Sequence, residues 1–233
     1  MLKRFAARLL DFVAPRLCVM CGKRLSTGEE YVCGVCQIHL PRTFFHLKPL
    51  DNIMAKMFWG QMPTERATAM FLYQPQSNAS KILYNLKYNH KPEIGVMMGR
   101  MMAKEIAASG FFEGIDLIVP VPLAPNRMKQ RGYNQSAMLA QGISEISGIE
   151  VNSHIVIRKG FKESQTRLSR HSRIENVNEQ FGLATDGRSL ADKHILIVDD
   201  VATTGATIIA CASAMKGISG IKFSVMTLAL THS

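Results

Sequence analysis

Apolar and polar positions in the last two thirds of the chain follow two alternating periodicities. Short apolar runs rich in β-branched residues predict strands near residues 67–73, 115–119, 149–157, 195–198 and 222–230. Apolar residues at helical spacing predict helices near 78–89, 93–109 and 134–146, and another after Thr204. Strands that alternate with helices favour an α/β fold in which a mostly parallel sheet carries helices on both faces. In such a fold, ligands bind beyond the carboxyl ends of the strands.

The first 45 residues have a different pattern. Apolar residues at helical spacing (Leu2, Phe5, Leu9, Phe12) predict a helix that ends before Pro15. Four of the five cysteines follow as two Cys-x2-Cys pairs: Cys18, Cys21, Cys33 and Cys36. Four thiolates at this spacing suit a tetrahedral ion, which is zinc or, less often, iron. We therefore predict an N-terminal helix and four-cysteine zinc module over 1–45, a connector over 46–63 and an α/β domain over 64–233.

Composition narrows the class of protein. Hydrophobic residues make up 47% of the 233 residues and charged residues 20%, values typical of a chain that buries a core. No run approaches the roughly 18 apolar residues of a membrane-spanning helix, so we expect a cytoplasmic protein without stable membrane insertion. The net charge is +10, and residues 120–173 carry nine basic and three acidic groups. Such a concentration of positive charge indicates a phosphate-bearing partner or a solvated face.

The most informative stretch follows the predicted strand at 195–198. Two adjacent carboxylates precede a turn of small residues and hydroxyls, and an apolar helix follows. Small residues let backbone N–H groups close around a phosphate at a helix N-terminus, while carboxylates accept hydrogen bonds from ribose hydroxyls. The stretch therefore predicts a pocket for a ribose 5-phosphate, formed by Asp199, Asp200, Ala202, Thr203, Thr204, Gly205, Ala206 and Thr207.

This stretch resembles the phosphoribosyl pyrophosphate (PRPP) binding motif of type I phosphoribosyltransferases. A second segment, Pro-Val-Pro-Leu at 120–123 followed by Arg-Gly-Tyr-Asn-Gln at 131–135, resembles the pyrophosphate-side loop of the ComF-like competence proteins. Tyr133 stands where that family usually has Phe, and Lys87-Tyr88 also fits the family pattern, with His90 in place of a glycine. The resemblance implies that Arg127 and Arg131 pair with the pyrophosphate, as guanidinium groups do.

A third segment, around residues 165–181, resembles the ComF-like pattern where phosphoribosyltransferases carry a mobile hood. The candidate site residues of this hood loop are Gln165, Arg170 and Arg173. The resemblance further implies that a magnesium ion accompanies PRPP and neutralises charge on the pyrophosphate. It also implies a role in DNA uptake during natural transformation.

Two functions stay open at this point. One is phosphoribosyl transfer, a pentosyl-type glycosyl transfer, to an acceptor that the sequence does not identify. The other is a non-catalytic module that senses PRPP and binds single-stranded DNA beside the DNA-uptake machinery. Because the basic loops contain only Tyr133 and Phe161 as aromatics, we expect DNA binding to be electrostatic and not sequence-specific. A transcriptional regulator on the same fold ranks last, since no helix-turn-helix is recognisable. The sequence assigns no catalytic residue and no oligomeric state.

Overall fold

The structure is a computed structural model that describes residues 15–158, 181–184 and 188–231. The predicted N-terminal helix lies outside the described residues, as do Phe161 and the hood-loop residues Gln165, Arg170 and Arg173. Within the described part of the chain, no helix combines the length and apolar character needed to cross a membrane.

A parallel sheet forms the centre of the molecule. The described residues contain six strands: β1 (Thr64–Tyr73), β2 (Leu117–Pro120), β3 (Val156–Arg158), β4 (Phe181–Leu183), β5 (His194–Ala202) and β6 (Lys222–Thr231). Four of them pair in the order β1-β6-β5-β2, and every pairing in this sheet is parallel. β3 and β4 form a separate antiparallel pair. The central strands β5 and β6 therefore lie between neighbours on both sides.

Helices cover the sheet. The described residues contain seven α-helices: α1 (Gly34–Ile38), α2 (Ile53–Lys56), α3 (Ser80–Tyr88), α4 (Pro92–Ile106), α5 (Pro125–Arg131), α6 (Gln135–Ser147) and α7 (Ala206–Ser213). The described residues also contain three 3-10 turns, at Phe45–Leu47, Ala107–Ser109 and Arg188–Leu190.

Alternate residues of β5 enter two separate cores, as the period of two along a strand requires. Leu196 and Val198 join the core that contains α3, α4 and α6, together with Cys18, Cys33 and Cys36. Ile195 and Ile197 join the core that contains α2, α7 and the β3–β4 pair. Both faces of the sheet are thus covered by helices, which confirms the predicted fold class of a mostly parallel sheet with helices on both faces. The sheet is buried on both sides, so its strands read as nearly continuous apolar runs.

The structure departs from the predicted strand at 149–157. Only Val151 bridges to Ile118, and the chain pairs again only over β3, with β4. Between these two points the Asn152 side chain accepts a hydrogen bond from the His154 N–H. This local turn competes with extended pairing, because Asn binds its own backbone two residues on.

The expected pyrophosphate-side loop also differs, because it contains α5. Pro125 stands at the first turn of this helix, and Gly132 ends it in the left-handed conformation with φ of 78°. None of its seven residues is buried, so α5 has no apolar periodicity from which it could have been predicted.

The end of the predicted module and the predicted connector pack closely against the sheet. The Pro49 carbonyl accepts from the Ala67 N–H and the Pro41 carbonyl from the Leu72 N–H, so residues 41–49 cover the outer edge of β1. Met54 and Phe58 are completely buried. The division into module, connector and α/β domain stays a prediction.

Two glycines allow α4 and α6 to approach closely. A Cβ added at Gly142 would collide with the Val96 carbonyl oxygen, and one added at Gly99 would collide with the Leu139 carbonyl oxygen. These collisions involve backbone, which cannot move aside as a side-chain end can. The contact matters for the site because α6 carries Ser136, described below.

We expect Gly142→Ala to lower the free energy of unfolding by about 2–4 kcal/mol, because the two helices must separate to admit the methyl group. Chemical denaturation measures this change. Gly217→Ala is the matched control: its added Cβ meets nothing within 4 Å, and it should change stability by less than about 0.5–1 kcal/mol. Equal stabilities of the two variants would contradict the close helix contact.

Candidate functional site

Asp199 and Asp200 lie at the carboxyl-terminal end of β5, as predicted. The Ser136 hydroxyl donates to Asp199 Oδ1 at 2.9 Å, and the Asp200 backbone N–H donates to the same oxygen at 2.8 Å. Lys87 Nζ lies 3.1 Å from Asp200 Oδ2. The acidic pair is therefore held by α6 from one side and by Lys87 of α3 from the other.

The environment of Asp199 opposes its negative charge. Burial raises the pKa of Asp199, and the adjacent Asp200 carboxylate raises it further. The hydrogen bonds from Ser136 and the Asp200 N–H, together with Lys87, lower it only in part, so the pKa of Asp199 stands at about 7. A bound group that donates hydrogen bonds or carries positive charge would relieve this unfavourable pairing.

The turn after the acidic pair exposes the groups that a phosphate needs. Thr203, Thr204, Ala206 and Thr207 face solvent, while Gly205 is buried against Phe58. Gly205 has φ of 74°, and no side chain in the described part of the chain caps the N-terminus of α7. The first N–H groups of this eight-residue helix are thus directed toward the turn, where the helix dipole favours an anion.

Ala202 supports the turn from within. Its side chain is buried, and its carbonyl accepts a hydrogen bond from the Thr231 hydroxyl at 3.3 Å. This contact joins the end of β5 to the end of β6.

Three arginines lie across the same pocket. Arg131 donates to Gln135 Oε1 at 2.9 Å, which fixes the end of α5 against α6. The Arg158 guanidinium lies 5.1 Å above the Phe181 ring. Burial lowers the pKa of Arg158, and the charge of Arg127 lowers it further. Like charges held together in this way favour the binding of an anion.

A single pocket of about 350 Å³ joins these groups. Its lining includes Arg127, Arg131 and Arg158 on the basic side and Asp199, Asp200 and Lys87 at the acidic pair. Thr203 and Thr207 line it too, and a smaller adjoining pocket is lined by Gly205 and Ala206. Most of the predicted site residues therefore converge; Thr204 lines neither pocket, and the hood loop lies outside the described residues.

Sequence reasoning missed three members of this site. Ser136 and Arg158 were not singled out, and Lys87 was noted only as part of a family pattern. Ser136 lies in the first turn of α6 just after Asn134, whose side chain caps that helix by accepting from the Ser136 N–H. That capping signal places the start of α6 but does not indicate which strand end it faces. Arg158 is the last residue of β3, where it pairs with Phe181 of β4, and it lines the pocket.

The four predicted metal-ligating cysteines converge at a second site. The sulfurs of Cys18, Cys21, Cys33 and Cys36 all lie within 4.8 Å of one another, and those of Cys21 and Cys33 are 3.8 Å apart. Metal–sulfur bonds of about 2.3 Å in a tetrahedron separate the sulfurs by about 3.8 Å. The cluster is therefore a candidate metal site, and the chemistry of four thiolates fits a soft or borderline ion.

Backbone groups prepare this cluster to hold a thiolate. The Cys33 N–H donates to Cys18 Sγ at 3.4 Å. Burial alone would raise the pKa of Cys18, but hydrogen bonds from the backbone of Cys21, Cys33 and Met20 outweigh it and lower the pKa to about 7. Burial and the neighbouring thiols raise the pKa of Cys36. Without a cation, four thiolates could not all be charged here.

Comparison with known proteins agrees with this geometry. The family model described as "Phosphoribosyl transferase domain" matches residues 94–232. "DNA utilization protein YhgH" of Escherichia coli (strain K12) is 31% identical over 209 residues, which cover 83% of this chain and 88% of that protein. "Competence protein F" of Haemophilus influenzae is 32% identical over 198 residues, covering 82% and 74%. "Competence protein ComFC" of Bacillus subtilis is 29% identical over 92 residues, covering 40% and 35%.

The raised pKa of Asp199 predicts a pH-dependent gain in stability for Asp199→Asn. Between about pH 4 and pH 7 the unfolded chain ionises this carboxyl while the folded chain retains the proton, so wild-type stability falls as pH rises through this window. Asn cannot ionise. The variant should therefore exceed wild type in free energy of unfolding by about 1 kcal/mol or more near pH 8, and by less near pH 4.

Asp116→Asn is the opposite control. The His194 backbone N–H and then Lys193 lower the pKa of Asp116, so its ionised form stabilises the folded state above the ordinary carboxyl pKa and loses this effect in acid. Asp116→Asn should therefore destabilise the protein at neutral pH. Chemical denaturation across pH measures both variants, and a loss of stability in Asp199→Asn near pH 8 would contradict the repulsion at the acidic pair.

Proposed function

Because the chain belongs to the phosphoribosyl transferase domain family, we propose that it binds PRPP in the pocket at the carboxyl end of β5 and acts in the handling of DNA. The observation that carries this proposal is the convergence of carboxylates, arginines and an open helix N-terminus in one pocket of about 350 Å³. PRPP carries ribose hydroxyls, a pyrophosphate and a 5-phosphate, and these are the groups that such a lining would recognise.

Each part of the pocket would take one part of the ligand. The turn at 203–207 and the N-terminus of α7 would hold the 5-phosphate through backbone N–H groups and threonine hydroxyls. Asp199 and Asp200 would accept hydrogen bonds from the ribose hydroxyls, with Ser136 keeping Asp199 in place. Arg127, Arg131 and Arg158 would neutralise the pyrophosphate.

Magnesium would accompany PRPP in this proposal. The two carboxylates are hard oxygen donors of the kind Mg²⁺ prefers, and the raised pKa of Asp199 supports this proposal, because added positive charge would offset the repulsion between them. When bound, the ion would supply positive charge that stabilises the departing pyrophosphate. The protein's own residues would orient the ribose and bind the 5-phosphate and the pyrophosphate at separate positions.

Two outcomes of PRPP binding are compatible with this pocket. In phosphoribosyl transfer, an acceptor nucleophile forms a bond to ribose C1, the bond from C1 to pyrophosphate breaks, and the acceptor loses a proton. In the alternative, binding itself is the signal, and the protein senses PRPP while its basic surfaces bind single-stranded DNA. The names of its relatives, "DNA utilization protein" and "Competence protein", support the DNA role in either case.

We also propose that the four-cysteine cluster holds a structural zinc ion. Four cysteines would fill a tetrahedral shell and leave no position for a substrate, so the ion would stabilise the fold. Glu29 supports this role, because its carboxylate accepts from the Ser26 N–H at 2.7 Å and the Gly34 N–H at 2.6 Å. It thereby holds together the loops that carry the two cysteine pairs.

The double variant Asp199→Asn/Asp200→Asn should bind PRPP at least about 100-fold more weakly than wild type in the presence of magnesium. Two hydrogen bonds from ribose hydroxyls to charged acceptors are weakened, at roughly 1.5 kcal/mol or more each. Isothermal titration calorimetry measures the affinity. Asp116→Asn, which alters a carboxylate at the other end of β5, should bind as wild type does. Undiminished binding by the double variant would overturn the assignment of the pocket.

Metal analysis of the purified protein should find one zinc ion per chain. Cys36→Ser should lose the ion and unfold at a lower temperature, because zinc binding contributes directly to folding. Cys211→Ala is the control, since Cys211 is buried in the other core and lies outside the cluster. It should keep one zinc per chain. A metal-free wild-type protein with the same melting temperature as the zinc-loaded form would refute the structural role.

A further inference from the structure

Two tyrosines on α3 face solvent beside the pocket. The Tyr84 and Tyr88 side chains are 58% and 54% exposed, and their ring centroids are 5.1 Å apart at an interplanar angle of 44°. The core-facing side of α3 is supplied by other residues, namely Ile82, Leu83 and Leu86. The tyrosine pair is therefore not needed to attach the helix to the core, and more than half of each side chain is exposed to a partner.

The two chain segments next to this pair are basic, although Lys87 is paired with Asp200 and Glu93 follows the first segment directly. The Arg131 guanidinium carbon lies 5.7 Å above the Tyr88 ring, within cation–π distance. Residues 80–92, which include α3, contain Lys81, Lys87 and Lys91 and no acid, and residues 117–144, which include α5, contain Arg127, Lys129 and Arg131 and no acid. Such a surface attracts a polyanion.

The two basic segments are held together rigidly. The Tyr133 hydroxyl donates to the Leu86 carbonyl, and His90 Nδ1 lies 3.1 Å from the Arg131 carbonyl oxygen. These contacts join the end of α3 to the end of α5. The two basic segments are thus held next to each other before a ligand binds, which limits the entropy that binding would cost.

The same elements form the wall of the pocket. Lys87 pairs with Asp200, and both Lys87 and Arg131 line the pocket assigned above to PRPP. A chain molecule lying across Tyr84 and Tyr88 would therefore have one end at the mouth of this pocket.

We propose that Tyr84 and Tyr88 form a base-stacking platform for single-stranded nucleic acid, with Lys81, Lys91 and Lys129 contacting its phosphates. Exposed aromatic rings can stack on unpaired bases, whereas the bases of a duplex are already stacked on one another. The proposal rests on the proposed function only in placing the strand beside the PRPP pocket. It also changes the expected binding mode, because stacking adds to the electrostatic attraction expected from the basic loops.

The test compares matched variants in their affinity for a labelled oligothymidylate of about 20 nucleotides, measured by fluorescence anisotropy. Tyr84→Ala/Tyr88→Ala should raise the Kd roughly 10- to 100-fold, because the bases can no longer stack on the two rings. Tyr84→Phe/Tyr88→Phe keeps both rings and should stay within about threefold of wild type. The slope of log Kd against log salt should be the same in wild type and the Ala variant, because the phosphate contacts remain.

Trp59→Ala is the position control. Trp59 is also exposed, at 56%, and carries Lys56 at 5.7 Å from its ring, but it does not line the pocket. Its removal should leave the Kd unchanged. Wild-type affinity in the tyrosine-to-alanine variant, an equal loss in Trp59→Ala, or tighter binding of a duplex of the same length would each overturn the platform.

Calorimetry with PRPP separates this proposal from the proposed function. The tyrosine-to-alanine variant should bind PRPP as wild type does, which also shows that it is folded. If wild type fails to bind PRPP but binds the oligonucleotide through the tyrosines, the proposed function fails and the platform stands. If PRPP binds and the tyrosines do not affect the oligonucleotide, the platform fails alone.

Discussion

The pairing of β5 between β2 and β6 is the contact on which the rest of the structure depends. It aligns Val198 with Pro120 on one side and with Met226 on the other, so that the ends of β2 and β5 meet at the same edge of the sheet. The acidic pair lies at the end of β5, and the arginine-bearing segment that contains α5 follows the end of β2. Because β5 contributes alternate residues to both cores, a shift of one residue in its register would move each of its core side chains to the opposite face of the sheet. The position of the site is therefore determined by the burial of apolar residues that never touch a ligand.

The pocket holds two carboxylates close together on its acidic side and arginines close together on its basic side. Asp199 and Asp200 repel one another at the end of β5, and Arg127 lowers the pKa of Arg158 at the basic side. Among the described residues, Ser136, Lys87 and the Asp200 backbone N–H offset the first repulsion. Such an arrangement costs stability in the free protein, and a ligand that carries both donors and negative charge would relieve both repulsions. This pattern is common where binding or catalysis requires perturbed groups.

The sequence was most informative where local chemistry and tertiary structure agree. The apolar run before Asp199 and the small residues after it predicted both the strand and the turn, because burial and helix initiation follow from neighbouring residues. The cysteine spacing likewise predicted a cluster that the structure contains. The prediction of a strand at 149–157 was wrong in its middle, where the Asn152 side chain binds the His154 N–H.

Packing between elements that are distant in the chain brings Ser136, Lys87 and Arg158 to the pocket. The local sequence around each residue does not indicate such a contact. The tyrosine pair illustrates the same limit. Tyr84 and Tyr88 look like ordinary helix residues in the sequence, and only the packing of α3 shows that they are left outside the core.

α3 connects the two candidate sites. On one side its Asn85 side chain donates a hydrogen bond to the Val19 carbonyl of the cysteine module. The two neighbours of Val19 in the chain, Cys18 and Met20, belong to the same core as α3. On the other side the same helix carries Lys87, which holds Asp200. A displacement of the module would therefore move the cation that positions the acidic pair. If the helix shifts in this way when the ion is lost, metal binding and ligand binding are thermodynamically linked, and each changes the affinity for the other by the same factor.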